Sequence, residues 1–329
     1  MIKKSSLERL PRILALSFAL LGSNCGNSAA GVSAACVPYD TQLCYGPGAC
    51  RGGQTCSADG AGWTACDCGL SPTEDAGPSQ LGGCSEDSKA TTNTCVDNAA
   101  IPMASSKYWI NNNVWGRPAN DNTSRQCSWF SCFTGDTLSW GTSWSWNGSY
   151  TVKSYPSVVL GWHWGVIVAN TGLPVQLTEH RTINTGWDFM VNQTDAGPFS
   201  LDVAYDLWIH TISNPNSSST GANQPSDEVM IWLYNLNTRP AGSLVAQAIS
   251  LGGTTWDLWE GPTQDWMIHS FVRTANTNSS TLNIGDFLNY LVTERALDET
   301  KYLTSVQAGI EVLKGSGEVN TSSYYCDVH

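Results

Sequence analysis

Charge is scarce in this chain: 13% of its 329 residues are Asp, Glu, Lys or Arg, and 16 basic residues face 28 acidic ones, for a net charge of −12. A surface so poor in cations cannot neutralise a phosphate backbone or dock on an anionic bilayer, which argues against nucleic acid and membrane surfaces as partners. Histidine is equally sparse, with 5 in total. None lies near the cysteine-rich part of the chain, so Cys66 and Cys68 read as disulfide partners rather than zinc ligands, and no metal or cofactor is expected. Long apolar runs are missing too. The run at residues 13–21 falls well short of the roughly 20 residues that a membrane-spanning helix needs, and no later segment comes closer.

That short run follows Lys3, Lys4, Arg9 and Arg12, the order of a signal peptide over residues 1–30. The rest of the chain is therefore expected to be secreted, with Cys25 as an alternative point of lipid attachment at the cell surface. In an oxidising compartment the 12 cysteines imply disulfides. What the chain has in abundance is aromatic: 15 Trp and 11 Tyr. Flat rings suit the C–H faces of sugars, and a neutral polymer fits the charge better than any polyanion. The plainer reading gives most of these rings to the core.

Residues 31–68 form a Gly-rich, disulfide-stapled segment without the apolar periodicity to build a core, and residues 69–83 read as a Pro/Gly/Ser-rich linker. Residues 84–329 change character. Short runs rich in Val, Ile, Trp and Tyr alternate with Asn/Gly/Ser clusters, which predicts an all-β, two-sheet antiparallel sandwich. A single helix near 284–296 is expected from the spacing of Ile284, Phe287, Leu288, Leu291 and Val292, with Asn283 as N-cap and Asp286 in the first turn.

Three strands carry the chemistry, read by the side-chain period of two. In residues 227–234, Val229, Ile231 and Leu233 alternate with Glu228, Met230, Trp232 and Tyr234. In residues 304–313, Val306, Ala308, Ile310 and Val312 alternate with Ser305, Gln307, Gly309 and Glu311. In residues 201–210, Leu201, Val203, Tyr205, Leu207 and Ile209 alternate with Asp202, Ala204, Asp206, Trp208 and His210. A lone mid-strand carboxylate is usually solvated or ion-paired, but three on apolar-backed strands suggest a site. Glycoside cleavage with retention needs two carboxyls roughly 5 to 5.5 Å apart, one attacking the anomeric carbon and one protonating the leaving oxygen. Glu228 and Glu311 on facing or neighbouring strands fit that need, with Asp206 as a third acid holding the nucleophile.

At these residues the sequence resembles glycoside hydrolase family 12. The resemblance runs through NNNVWG at 111–116, SYPSVVLGWHWG at 154–165, TGLP at 171–174, DVAYDLW at 202–208, DEVMIWL at 227–233 and YLTSVQAGIEVLKGSG at 302–317. It implies a jelly roll in which Glu228 is the nucleophile, Glu311 the general acid/base and Asp206 the assisting aspartate. It also places Asn113, Trp115 and Met230 along the glucan cleft, to which Trp232 and His163 are added as substrate contacts. Cys95 and Cys127, which bracket the first motif, are implied to be bonded, leaving Cys84, Cys132 and Cys326. Around Glu311 the chain departs from the family's Gly-Thr-Glu-Pro-Phe, and Leu313 supplies no ring to the cleft wall. Residues before Cys84 have no counterpart in the family and resemble cysteine-rich stretches of myxobacterial exported proteins.

The function expected is metal-free endo-hydrolysis of β-1,4-glucan with retention of configuration, by a monomer acting on a β-glucan polysaccharide. Xyloglucan is the alternative substrate, and a non-catalytic glucan-binding protein is the alternative class; a pure binder, however, has no reason to hold three acids on one surface.

Overall fold

The computed structural model describes residues 41–45, 51–55, 57, 61–64, 93–103, 106–134, 136–164, 166–218 and 220–329. The signal peptide, Cys25, most of the cysteine-rich segment, the linker and Cys84 lie outside them. The chain divides into two compact units, Met1–Gln80 and Leu81–His329. In the first, β1 (Thr41–Tyr45) pairs antiparallel with β2 (Arg51–Thr55).

The second unit begins with β3 (Asn93–Thr94), β4 (Ala100–Pro102), β5 (Tyr108–Asn111), β6 (Arg125–Thr134), β7 (Thr137–Trp146), β8 (Ser157–His163), β9 (Val166–Ile167), β10 (Val175–Gln176) and β11 (Ile183–Gln193). It continues through β12 (Ser200–His210), β13 (Asp227–Leu236), β14 (Ser243–Leu251), β15 (Thr254–Pro262), β16 (Met267–Arg273), β17 (Ser279–Asn283), α1 (Gly285–Arg295) and β18 (Tyr302–Val328). One layer runs β14-β15-β16-β13-β12-β18-β8-β5-β4, and the other β3-β6-β7-β18-β11-β17. The 27-residue β18 belongs to both. Its first half pairs with β12 and β8, its second with β7 and β11.

The change of layer falls at Lys314 and Gly315, whose partners are Ser200 on β12 and Trp146 on β7. Gly315 has φ +100°, and a Cβ there would sit 2.4 Å from the Pro198 carbonyl oxygen. Only glycine meets both conditions, so this corner is built into the sequence.

Between the layers lies one apolar core. The inward sets of β12, β13 and β18 all reach it: Leu201, Val203, Tyr205, Leu207 and Ile209, then Val229, Ile231 and Leu233, then Val306, Ala308, Ile310 and Val312. Trp140, Trp144, Trp146, Trp187 and Trp256 fill its volume, so five of the 15 tryptophans belong to the core. The helix runs over Gly285–Arg295 and drives Phe287 edge-on into Trp256 and Phe271, with centroids 5.0 and 5.1 Å away. Asn283 caps it from one position further out than expected, because Ile284 already has helical angles; the Asn283 Oδ1 accepts from Gly285 N–H.

Two expectations need correction. Strand pairing is not wholly antiparallel: after β13 the chain forms the β14–β15 hairpin and returns as β16, parallel to β13. Alternation reports which face a residue occupies and is silent on pairing direction. Tyr234 also leaves the face of Glu228. The ladder shifts register between Val203 and Ala204, so Tyr234 stands opposite Val203 and packs on the core; a bulge reverses facing beyond it. Cys95 and Cys127 are bonded, Cys132 is also in a disulfide, and Cys326 is a buried free thiol.

Gly315→Ala should lower the free energy of unfolding by about 1–3 kcal/mol through strain at positive φ alone. Urea denaturation measures this, and an unchanged midpoint would mean that the corner is not glycine-dependent.

Candidate active site

The face of the β12 layer turned away from the core gathers the acids. On central β12, Asp202 stands opposite Glu311 of β18, and Trp208 opposite Glu228 of β13. Asp206 lies between these levels, opposite Met230 on one side and Gln307 on the other. Glu228 and Glu311 therefore occupy the two strands that flank β12, not facing or adjacent ones. Both are half-buried, whereas Asp202 and Asp206 are buried.

Small residues form the floor. Ala204 is opposite Gly309, and a Cβ on Gly309 would come within 2.7 Å of the Tyr155 ring. The ring occupies that space, and its hydroxyl donates to the Ala204 carbonyl at 2.9 Å. Aromatic residues wall the Glu228 end. Trp266 Nε1 donates to Glu228 Oε2 at 2.6 Å, and the Trp266 ring meets Trp208 edge-on at 5.0 Å and Trp164 at 6.5 Å.

Removal from water favours the neutral form of each acid. Burial is the first cause raising Asp206, with the charges of Glu228 and Glu311 next. Burial also pushes Glu228 up to about 8, with the charge of Glu311 second, and pushes Glu311 up to about 7. Both glutamates are raised. Each makes the other's ionisation harder, so the pair passes through a state with a single negative charge. The indole N–H of Trp266 holds Glu228 below where burial and the charge of Glu311 alone would put it.

The remaining expected contacts divide. Trp115 is 63% exposed. Asn113 is half-buried, and its Oδ1 accepts from the Trp115 N–H. His163 is held by Asn111 at 2.9 Å and Gln307 at 3.0 Å, and burial pushes it down to about 4, so it is neutral. Met230 and Trp232 do not behave as open sugar platforms. They are 3% and 2% exposed and pack with Ala204 and Ile268 into a small apolar cluster on this face; the added strand β16 flanks them and supplies Ile268 and Val272.

Two residues in contact with the acids carry no distinct signal in the sequence. Trp266 sits in a polar turn between β15 and β16, where an aromatic has no periodicity to betray its role. Asp202 was visible on the Asp206 face, but only the register shows that it meets Glu311. Among the described residues no group of His, Cys, Asp and Glu could hold a metal ion, and no helix is long and apolar enough to cross a membrane.

Comparison with known proteins gives this fold a family. The family model described as glycosyl hydrolase family 12 matches residues 106–329. Endoglucanase S of Pectobacterium parmentieri is 34% identical over 234 residues, spanning 69% of this chain and 83% of that protein. The xyloglucan-specific endo-beta-1,4-glucanase A of Emericella nidulans is 35% identical over 223 residues, spanning 66% of this chain and 84% of its own. The solved family 12 xyloglucanase of Bacillus licheniformis superposes with a TM-score of 0.63 at 35% identity, covering 72% of this chain and 100% of that one. Matched over most of its length by the family model and by relatives of this identity, the chain belongs to glycosyl hydrolase family 12.

Proposed function

We propose that this protein is a secreted endo-β-1,4-glucanase in which Glu228 is the nucleophile, Glu311 the general acid/base and Asp206 the carboxyl that holds and tunes Glu228. The observation that carries the reading is the placement of Glu228 and Glu311 on the strands either side of β12, on one face, with the charge of Glu311 raising Glu228. In the first step Glu311 gives its proton to the glycosidic oxygen while Glu228 attacks the anomeric carbon, which releases the downstream chain and leaves a glycosyl-enzyme. In the second, Glu311 takes a proton from water as that water displaces Glu228, so the configuration is retained. Trp266 steadies the Glu228 carboxylate before attack, and Trp115 offers a face to a neighbouring sugar.

All of these residues lie within 84–329, the catalytic domain of the proposal, and residues 31–83 serve as a stapled segment and linker beyond it. The β-glucan class follows from family 12. Xyloglucan is a second reading, favoured by the two xyloglucan-acting relatives. Reducing-sugar release from carboxymethyl cellulose, barley glucan, xyloglucan and xylan separates the two.

Removing each glutamate should fail in its own way. Glu228→Ala is expected to be nearly inactive on every glucoside, with azide restoring turnover and giving a product of inverted configuration. Glu311→Ala is expected to keep attacking an aryl glycoside with a good leaving group while losing natural glucan, and azide then gives retained configuration. Proton NMR of the azide products reads the outcome, and the opposite stereochemistry would exchange the two roles.

The raised acid also sets a pH limit. Glu311 must carry its proton to act on glucan, so kcat/KM on glucan should fall as pH rises past about 7. An aryl glycoside that needs no protonation should hold its rate there. Equal alkaline losses on both substrates would remove Glu311 from the acid role.

A further inference from the structure

Asp202 is fully buried, and neither of its carboxyl oxygens has a hydrogen-bond donor among the described residues. A buried carboxylate without donors is costly, and the ordinary remedies are a cation or a proton. Among the described residues no cation acts on it. Lys153 Nζ is held by the carbonyls of Ser149 and Thr151, and Lys314 lies over the Tyr150 ring. The ionisable groups that face Asp202 are Glu311 on β18, Asp206 on its own strand, Glu228 on β13 and Tyr155 from the segment before β8. Three of these are acids, and Tyr155 spends its hydroxyl proton on the Ala204 carbonyl.

Directly across the ladder stands Glu311. Two ionised carboxylates are acceptors only and cannot bond each other, so this contact becomes a hydrogen bond only if one of them keeps a proton. Glu311 is half-buried and open to substrate, while Asp202 is sealed beneath it. The deeper group is the one that keeps its proton.

We infer that Asp202 is a positioning residue for the acid/base: it remains protonated, donates its O–H to the Glu311 carboxyl, and so sets how firmly Glu311 holds its own proton. The inference rests on the reading of Glu311 as acid/base given above. Burial is the first cause holding the Asp202 proton in place, and the charge of Glu311 is the second. In the other direction, the Asp202 hydrogen bond holds Glu311 below where burial alone would put it. When Glu311 gives its proton to the glycosidic oxygen, the new carboxylate accepts a short O–H···O⁻ bond from Asp202, and when it takes a proton from water that bond weakens again. Asp202 keeps its proton through the cycle and, being fully buried, does not reach substrate.

Asp202→Asn is the direct test, because the amide keeps the size and a donor but replaces a strong O–H···O⁻ bond with a weaker N–H one. The alkaline limb of kcat/KM on barley glucan should move up by about one pH unit, while that on an aryl cellobioside with a good leaving group stays in place. Carbon-13 NMR of labelled carboxyls gives a readout independent of turnover, and the Glu311 titration should move upward in the variant by the same amount. An unmoved limb with an unmoved Glu311 titration overturns the role of Asp202. An unmoved limb with a shifted Glu311 titration keeps the bond and overturns Glu311 as the acid. The wild-type protein provides a check that needs no variant to fold: the Asp202 carboxyl resonance must remain in its protonated position well above the usual aspartate range, and ordinary titration there overturns the proposal.

Discussion

The pairing of β12 with β18 is the constraint on which this structure turns. Eleven residues of β12 lie along the first half of β18, and each inward side chain of the pair reaches the core. A slip of one residue would send five apolar side chains of β12 into the site and its two acids into the core. Core burial of about 1.5–3 kcal/mol per large apolar side chain therefore fixes the register, and the register in turn sets Asp202 against Glu311 and Asp206 between the glutamates. The acids are positioned by residues that never touch substrate.

The same packing makes the site electrostatically tense. Asp202, Asp206, Glu228 and Glu311 crowd one face away from water, and burial leads the causes that raise each of them. Below the ordinary carboxylate range all four are neutral in folded and unfolded chains alike, and the fold bears no charge cost there. As pH rises through their elevated folded values, the folded state must ionise groups that ionise more easily when unfolded, and stability is lost. What is a burden for the fold is useful to the reaction, because a glycosidase of this type needs one carboxyl still protonated beside another already ionised. Trp266 offsets part of that burden at Glu228 with a single N–H donor.

Much of this was legible in residues alone. Alternation in β12, β13 and β18 identified the inner and outer faces residue by residue, and the helix showed itself through the spacing of Phe287, Leu288 and Leu291. Legibility ended where structure depends on partners distant in sequence. The bulge that turns Tyr234 to the core arises from β12 lying beside β13. The parallel return of β16, which packs Ile268 and Val272 beside Met230 and Trp232, leaves no mark in a period-two pattern. Trp266 comes to Glu228 from a turn 38 residues away, and Asp202 had the right face without a known partner. Exposure separates Trp115 from the many tryptophans that serve the core, and composition cannot.

The central claim is that Glu228 forms the covalent bond to sugar, and trapping that bond tests it most directly. A cellobioside bearing fluorine at C2 of the attacked ring and a good leaving group slows both steps but the second far more, so the glycosyl-enzyme accumulates. Peptide mass mapping after inactivation should find one added glycosyl unit on Glu228. An adduct on Glu311 or Asp206, or turnover to a product of inverted configuration with no adduct, would contradict the account.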